Sequence, residues 1–225
     1  MGNFEDRTRL ILGEGYDKIK NAKIAVLGAG GVGGYVIEML ARLGVGEIFV
    51  VDFDKFDETN LNRQILSLTT NIGQKKCDVA KERILKINPN CKVTAICKKI
   101  ARDTVGEILN NRFDYVVDAI DDIKAKVEVI KFCHEKEIPL LCAMGTGNRA
   151  KMPQFMVENI WKTSYDGLAR KLRNELKKEN FTASVDVCYT KEQPEKTSAL
   201  GSVVYYPLMC AGVMVSFISN RLLEK

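Results

Sequence analysis

The chain has 225 residues, of which 46% are hydrophobic and 28% charged, and this composition is typical of a globular protein with a substantial core. Its formal net charge of +5 permits a polyanionic partner without requiring one. Seven cysteines without a CxxC pair argue against a zinc ribbon and, with the charged start MGNFEDRTRL, predict reduced thiols in the cytoplasm.

The first apolar run of the chain stops at a glycine-rich turn, after which a helical pattern begins. Gly28, Gly30 and Gly33 fit the GxGxxG spacing of nucleotide-binding folds, in which glycines let the backbone approach a phosphate group. A second apolar run ends at Asp52, where such folds place the acidic residue that binds a ribose hydroxyl. The pattern predicts a nucleotide site but does not identify the nucleotide.

Strand-like runs alternate with helical patterns through the first two thirds of the chain. This alternation predicts βαβ units and therefore a Rossmann-like, doubly wound α/β fold with a mostly parallel sheet. Ligands of such sheets bind at the carboxyl ends of the strands. The predicted elements are strand 23–28, helix 31–43, strand 46–52, helix 73–88, strand 92–97, helix 103–111, strand 114–119, helix 123–137 and strand 138–143.

The remaining third of the chain reads as an elaboration of the same sheet. We predict a single domain, 1–225, in which residues 1–147 form the nucleotide-binding core and 148–225 a substrate-side α/β elaboration. The uncharged run 203–218 is shorter than the roughly 20 residues that cross a bilayer, which favours a buried C-terminal helix over membrane docking. The predicted elements here are strand 154–160, helix 166–178, strand 183–189 and a helix that starts near Pro207.

The segment after Asp52 distinguishes between nucleotides. It carries Asn60, Arg63 and Lys76, and fixed cations suit an enzyme that cleaves ATP, because they stabilise the departing pyrophosphate together with magnesium. Asp121, at another strand end, is a candidate magnesium ligand. The only histidine, His134, lies in a helical pattern and is expected at the surface, which weakens a dehydrogenase hypothesis. From the residues alone, a solvated helix end remains the alternative for Lys76.

Four segments resemble, in order and spacing, the motifs of the ThiF/MoeB/HesA superfamily of ubiquitin-activating-like enzymes: GAGGVG, VVDFDKFDETNLNRQ, IGQKK and VVDAIDD. Three further segments resemble the tRNA threonylcarbamoyladenosine dehydratase (TcdA/CsdL) branch: RTRLILGEG, CAMGTGNRAKMPQFMVENIWKTSYDGLARKLRNELKK and SALGSVVYYPLMCAGVMVSFI. The resemblance covers nearly the whole chain. The missing CxxC pairs and the missing domain for a ubiquitin-like protein both favour this branch over the sulfur-carrier branches.

The resemblance also implies roles for individual residues. Four glycines form the phosphate-side turn, one aspartate binds the ribose, and cationic or amide side chains contact the triphosphate. A second aspartate binds magnesium, and an N-terminal arginine reaches into the partner's site of a dimer. In that order the residues are Gly28, Gly30, Gly31 and Gly33; Asp52; Asn60, Arg63 and Lys76; Asp121; and Arg9.

The activity implied by the resemblance is ATP-dependent modification of tRNA by a ligase-class homodimer that uses Mg²⁺ and forms AMP and pyrophosphate. The enzyme would adenylate the threonyl carboxylate of the modified adenosine beside the anticodon and close it into a ring. A sulfur-transfer protein is a further candidate partner, whereas DNA and a membrane are not expected. Two alternatives stay open: an adenylyltransferase of a ubiquitin-like sulfur-carrier protein, and an NAD(P)-dependent oxidoreductase. Cys188 is expected in the core, with a reactive thiol as the alternative.

Overall fold

A computed structural model describes residues 3–224, so residues 1, 2 and 225 of the predicted domain lie outside it. The strands are β1 (Lys23–Leu27), β2 (Glu47–Val51), β3 (Lys92–Ile96), β4 (Tyr115–Asp118), β5 (Leu140–Ala143), β6 (Phe155–Asn159) and β7 (Asp186–Thr190). The helices are α1 (Asp6–Leu12), α2 (Tyr16–Asn21), α3 (Gly31–Leu43), α4 (Lys76–Ile87), α5 (Val105–Ile108), α6 (Ile123–Glu135), α7 (Gly167–Lys178) and α8 (Tyr205–Glu224).

The seven strands form one sheet in the order β3-β2-β1-β4-β5-β7-β6. All neighbouring pairs run parallel except β6 and β7, which are antiparallel. The predicted α/β fold with a mostly parallel sheet is therefore confirmed. The last two strands extend the same sheet, as predicted for the region after residue 147.

Helices cover both faces of this sheet, because alternate residues of each strand point to opposite sides. In β1, Ile24 and Val26 pack in a core with α3, α4 and α8, whereas Ala25 and Leu27 pack in another with α5 and α6. A third cluster joins α6 and α7 to β5 and β7. The near-continuous apolar strands of the sequence follow from this burial on two sides.

Three helical regions differ from the prediction. Helices α1 and α2 were not predicted, and α1 has no buried residue although it carries Leu10, Ile11 and Leu12. The predicted helix 73–88 begins only at Lys76, because Gly73 has φ +85° and Lys75 pairs with Lys55 as an isolated β-bridge. The predicted helix 103–111 is shortened to α5, which has four residues.

The C-terminal helix α8 is long and apolar enough, by length and composition alone, to cross a membrane. In this structure one of its faces is buried against α3, β6 and the sheet, with Tyr206, Cys210, Met214 and Ile218 fully inaccessible. The helix starts two residues before Pro207, close to the predicted position. Its spacing of buried residues is that of a core helix.

Candidate active site

A cavity of about 760 Å³ opens at the carboxyl ends of the central strands. The segments that follow β1, β2, β4 and β5 line it, which is the ligand position expected for a parallel sheet. Most of the predicted site residues meet there, although they lie far apart in sequence. Those that line the cavity are Gly28, Gly30, Gly31, Asp52, Arg63, Lys76 and Asp121.

The glycine turn contributes Gly28, Gly30 and Gly31 to the lining of the cavity. Gly28 has φ +92°, a conformation that L side chains rarely adopt. Gly33 does not line the cavity; a Cβ atom on it would lie 1.8 Å from the carbonyl oxygen of Gly28. Gly33 therefore lets α3 pack against the turn. The first residues of α3, Gly31 and Val32, line the cavity, and the unpaired N–H groups of a helix start are suited to bind an anion.

Asp52 connects the end of β2 to the glycine turn. Its Oδ2 accepts a hydrogen bond from the N–H of Ala29 at 2.7 Å, and its Oδ1 accepts one from the N–H of Asp54 at 2.8 Å. Burial raises the pKa of the Asp52 carboxyl, and these two bonds oppose that rise without cancelling it. The carboxylate is thus fixed beside the glycine turn, and its contact with a ribose stays a prediction.

Two cations face the cavity from the segment after β2. Lys76 begins α4 with only 7% of its surface exposed, and its Nζ lies 3.4 Å from Oδ2 of Asp54. A solvated helix end describes the exposed Lys75 but not Lys76. Arg63 is held by a 2.8 Å hydrogen bond from its guanidinium to the carbonyl oxygen of Thr59. The two side chains therefore present fixed positive charge to one side of the cavity.

The acidic residues at the end of β4 and directly after it have three different environments. Asp118 is fully buried and paired with Lys126 at 3.0 Å. Asp122 caps α6 by accepting the N–H groups of Lys124 and Ala125. Asp121 is exposed to the cavity and has no side-chain partner among residues 3–224.

A magnesium ion at this position would rely on few protein ligands. Within residues 3–224, no cluster of three His, Cys, Asp or Glu side chains could hold a metal ion. Magnesium commonly binds through one or two carboxylates, completing its shell with water and substrate phosphates. Asp121 fits that pattern because its carboxylate is accessible from the cavity.

Asn60 and Arg9 lie outside the cavity lining. The side-chain oxygen of Asn60 accepts the N–H of Asp57 at 3.3 Å and closes a short 3₁₀ turn. Arg9, on α1, forms ion pairs with Glu5 at 3.2 Å and with Asp17 at 2.9 Å. The predicted contacts of Asn60 with the triphosphate and of Arg9 with a partner's site stay predictions.

The loop after β5 is held by a buried arginine that the sequence did not indicate. Arg149 donates to the carbonyl oxygens of Gly145 at 2.9 Å and Glu192 at 3.0 Å, and lies 3.6 Å from Oδ2 of Asp166. Asp166 also accepts the N–H of Gly145 at 3.0 Å. These bonds fix the part of the cavity wall that the loop after β5 forms.

Further basic residues line the cavity at its edges. Lys98 and Lys99 follow β3, and Arg170 and Lys171 lie near the start of α7. The basic residues of α7 are not all free, since Arg173 donates to two backbone carbonyls at 3.2 and 3.3 Å. Sequence reasoning missed Lys98 and Lys99 because they extend an apolar strand without any motif of their own.

Cys188 is a core residue of β7. It is fully buried, and its Sγ lies 3.7 Å from that of Cys210 on α8. Its thiol is not among the groups that line the cavity. This placement agrees with the structural role expected from its strand pattern.

Comparison with known proteins identifies the family to which this chain belongs. The sequence model of the ThiF family matches residues 5–224, nearly the whole chain. The chain belongs to the ThiF family. The tRNA threonylcarbamoyladenosine dehydratase of Bacillus subtilis is 41% identical over 189 residues, which cover 84% of this chain and 74% of that protein. The enzyme of the same name from Haemophilus influenzae is 34% identical over 225 residues, covering 98% of this chain and 85% of its own.

Solved structures of another ThiF-like protein agree over the full fold. The Escherichia coli tRNA N6-threonylcarbamoyladenosine dehydratase TcdA, crystallised in complex with ATP, superposes with a TM-score of 0.93 at 33% identity. The match covers 98% of this chain and 93% of that one. A complex of the same enzyme with AMP gives the same TM-score. The predicted family and branch resemblance are therefore confirmed.

Proposed function

We propose that this ThiF-family chain is an ATP-dependent tRNA threonylcarbamoyladenosine dehydratase of the ligase class. One observation carries the proposal: a glycine turn, a ribose-side aspartate, two cations and a free aspartate meet at one cavity. Relatives with this activity in their names match over most of their length, and one was crystallised with ATP and with AMP. Neither the sulfur-carrier nor the oxidoreductase alternative has a comparable observation in its favour.

The first chemical step is adenylation of a carboxylate. The threonyl carboxylate of the modified adenosine attacks the α-phosphorus of ATP, an acyl-adenylate forms, and the bond to pyrophosphate breaks. Arg63 and Lys76 stabilise the negative charge that builds on the leaving pyrophosphate, because both are held in place before the reaction. Asn60 helps to orient the phosphates.

Asp121 would hold the Mg²⁺ that accompanies ATP. When bound, the metal neutralises phosphate charge and orients the leaving group. Asp52 fixes the nucleotide through its ribose, while the glycine turn and the start of α3 donate backbone N–H groups to the phosphates.

The second step closes a ring within the substrate. A nitrogen or oxygen of the same substituent attacks the activated carbonyl, AMP leaves, and the tRNA has lost one molecule of water. This step needs no catalytic thiol, which agrees with the buried position of Cys188. The basic residues Lys98, Lys99, Arg170 and Lys171 are suited to hold the tRNA backbone beside the cavity.

The active form would be a cytoplasmic homodimer in which Arg9 enters the partner's site. Arg9 lies outside the cavity of its own chain, and Leu10 and Ile11 beside it are 84% exposed. Mixing Arg9→Ala with Arg63→Ala tests this arrangement, because a mixed dimer has one intact composite site. Half of the dimers would be mixed and half of their sites intact, so about a quarter of wild-type activity should return. No recovery after subunit exchange would refute a shared site.

Mass spectrometry of tRNA tests the function directly. Incubation of threonylcarbamoyl-modified tRNA with the protein and ATP–Mg²⁺ should lower its mass by one water and release AMP and pyrophosphate. Lys76→Ala serves as the inactive control and Lys75→Ala as the matched active one. Unchanged mass across suitable tRNAs would reject the proposal, and pyrophosphate exchange stimulated only by a sulfur-carrier protein would select the alternative.

A further inference from the structure

A charged pair lies beneath the cavity and has no part in the chemistry described above. Lys126 of α6 and Asp118 at the end of β4 both have fully inaccessible side chains, with Nζ 3.0 Å from Oδ2. Burying two charges is costly, and an apolar pair of similar volume often stabilises a fold as well or better. Stability alone therefore does not account for this pair.

The remaining contacts of the pair connect two walls of the cavity. Nζ of Lys126 donates a second hydrogen bond to the carbonyl oxygen of Ala143, the last residue of β5, at 2.9 Å. Oδ1 of Asp118 accepts the N–H of Ile120 at 3.0 Å. Both Ala143 and Ile120 line the cavity.

The anchored backbone at Ile120 leads to two parts of the candidate site. Ile120 directly precedes Asp121, so the hydrogen bond to Asp118 shapes the turn that carries the candidate magnesium ligand. The same turn contacts the glycine turn, since a Cβ atom on Gly28 would lie 2.8 Å from the carbonyl oxygen of Ala119. The pair thus sets the distance between Asp121, the phosphate-side turn and the loop after β5.

We propose that Lys126 and Asp118 are positioning residues, which hold Asp121 at the distance from the glycine turn that an ATP–Mg²⁺ complex requires. The inference rests on the proposed function only in taking ATP–Mg²⁺ as the ligand. The pair acts through Ile120 and Ala143 and does not touch the substrate itself.

Two double variants separate positioning from stability. Asp118→Leu/Lys126→Met removes the charges and hydrogen bonds but keeps the volume, whereas Asp118→Asn/Lys126→Gln keeps neutral hydrogen-bonding groups. Binding of a non-hydrolysable ATP analogue is measured by calorimetry with and without Mg²⁺, beside thermal unfolding. Lys131→Met is the matched control, because Lys131 lies on the same helix in an exposed pair with Glu179.

The apolar variant should unfold near the wild-type temperature. Mg²⁺ increases the affinity of the wild type for the ATP analogue, and in the apolar variant this increase should be smaller by a factor of about ten or more, which is the usual effect of losing a supporting residue of a metal site. The amide variant should recover most of that gain, and the control should keep all of it. An apolar variant with the full Mg²⁺ gain would overturn the proposal, as would equal losses in both double variants.

If the apolar variant does not fold, the single variant Asp118→Asn provides the test. Asp118→Asn alone replaces one acceptor by a donor, so it can keep the bond to Ile120 or the pair with Lys126, but not both. Positioning requires a reduced Mg²⁺ gain, whereas a purely structural role gives lower stability with the gain unchanged. Since no tRNA is used, failure here leaves the tRNA mass test standing, and failure of that test leaves this one interpretable.

Discussion

Replacing Gly33 by alanine tests the packing on which the phosphate-side turn depends. The added Cβ would lie 1.8 Å from the carbonyl oxygen of Gly28 and 3.3 Å from the Cβ of Ala119. The first contact is with backbone, which cannot rotate away, so the start of α3 must move from the turn. Gly34→Ala is the control, because its Cβ meets only side chains of Ile65 and Leu66, at 3.5 Å or more.

The two substitutions should change stability in opposite directions. Overpacking at Gly33 costs about 3 kcal/mol, against a gain of up to about 1 kcal/mol in helix propensity. The net loss of about 2 kcal/mol corresponds to a melting temperature lower by about 4–8 °C in a chain of this length. Gly34→Ala gains helix propensity without a clash against the backbone, so it should melt about 2–4 °C higher than the wild type.

Thermal unfolding and ATP titration together measure both effects. A shift of α3 by about an ångström would move its N–H groups away from the phosphates, so Gly33→Ala should bind ATP at least about tenfold more weakly than the wild type. Gly34→Ala should bind ATP as the wild type does. If Gly33→Ala melted and bound ATP like the wild type, the close contact with Gly28 would limit neither stability nor ATP binding, and the prediction would be refuted.

Three further outcomes are expected. Lys76→Ala should lower the rate of tRNA dehydration about 10²–10³-fold in a tRNA mass assay, while Lys75→Ala stays near wild type because Lys75 is exposed. Burial raises the pKa of Glu38, but hydrogen bonds from Arg83 and Arg42 outweigh it and hold that pKa below its ordinary value. The Glu38 carboxylate therefore stabilises the fold above the unfolded pKa of about 4.3, and this contribution is lost as the pH falls through the folded pKa. In urea unfolding, Glu38→Gln should be less stable than the wild type at pH 7, and its free energy of unfolding should fall less on acidification. Cys188→Ala should dehydrate tRNA within about twofold of the wild-type rate, and a large loss would instead favour a reactive thiol.

The sheet could be predicted from the sequence because its central strands are buried on both faces. Such strands are short continuous apolar runs, and the helices between them keep one apolar side, so both patterns persist without tertiary information. The glycine turn and Asp52 were predictable for a similar reason, since their spacing is fixed by one βαβ unit. Helix α1 escaped prediction because its apolar residues, Leu10, Ile11 and Leu12, are consecutive and lack helical spacing.

The supporting residues of the cavity were not predictable in this way. Arg149 and Asp166 lie 17 positions apart, and their contact depends on how the loop after β5 meets α7. Lys126 reads as one more charged residue in a helix that carries several Lys and Glu residues, yet it is fully buried. A charge beneath a cavity leaves no local signature, because its partner is chosen by the packing of separate elements.

The acidic residues around the cavity are distinguished by their partners rather than by their spacing. Asp52, Asp118 and Asp166 each accept a backbone N–H at the start of a loop that lines the cavity, so their carboxylates serve first to shape that loop. Asp54 is paired with Lys76. Asp121 follows one of these anchored turns and has no side-chain partner within the described residues, which leaves its carboxylate accessible to a cation. A carboxylate that binds a metal ion must be spared from structural bonds, and here three neighbours form those bonds in its place.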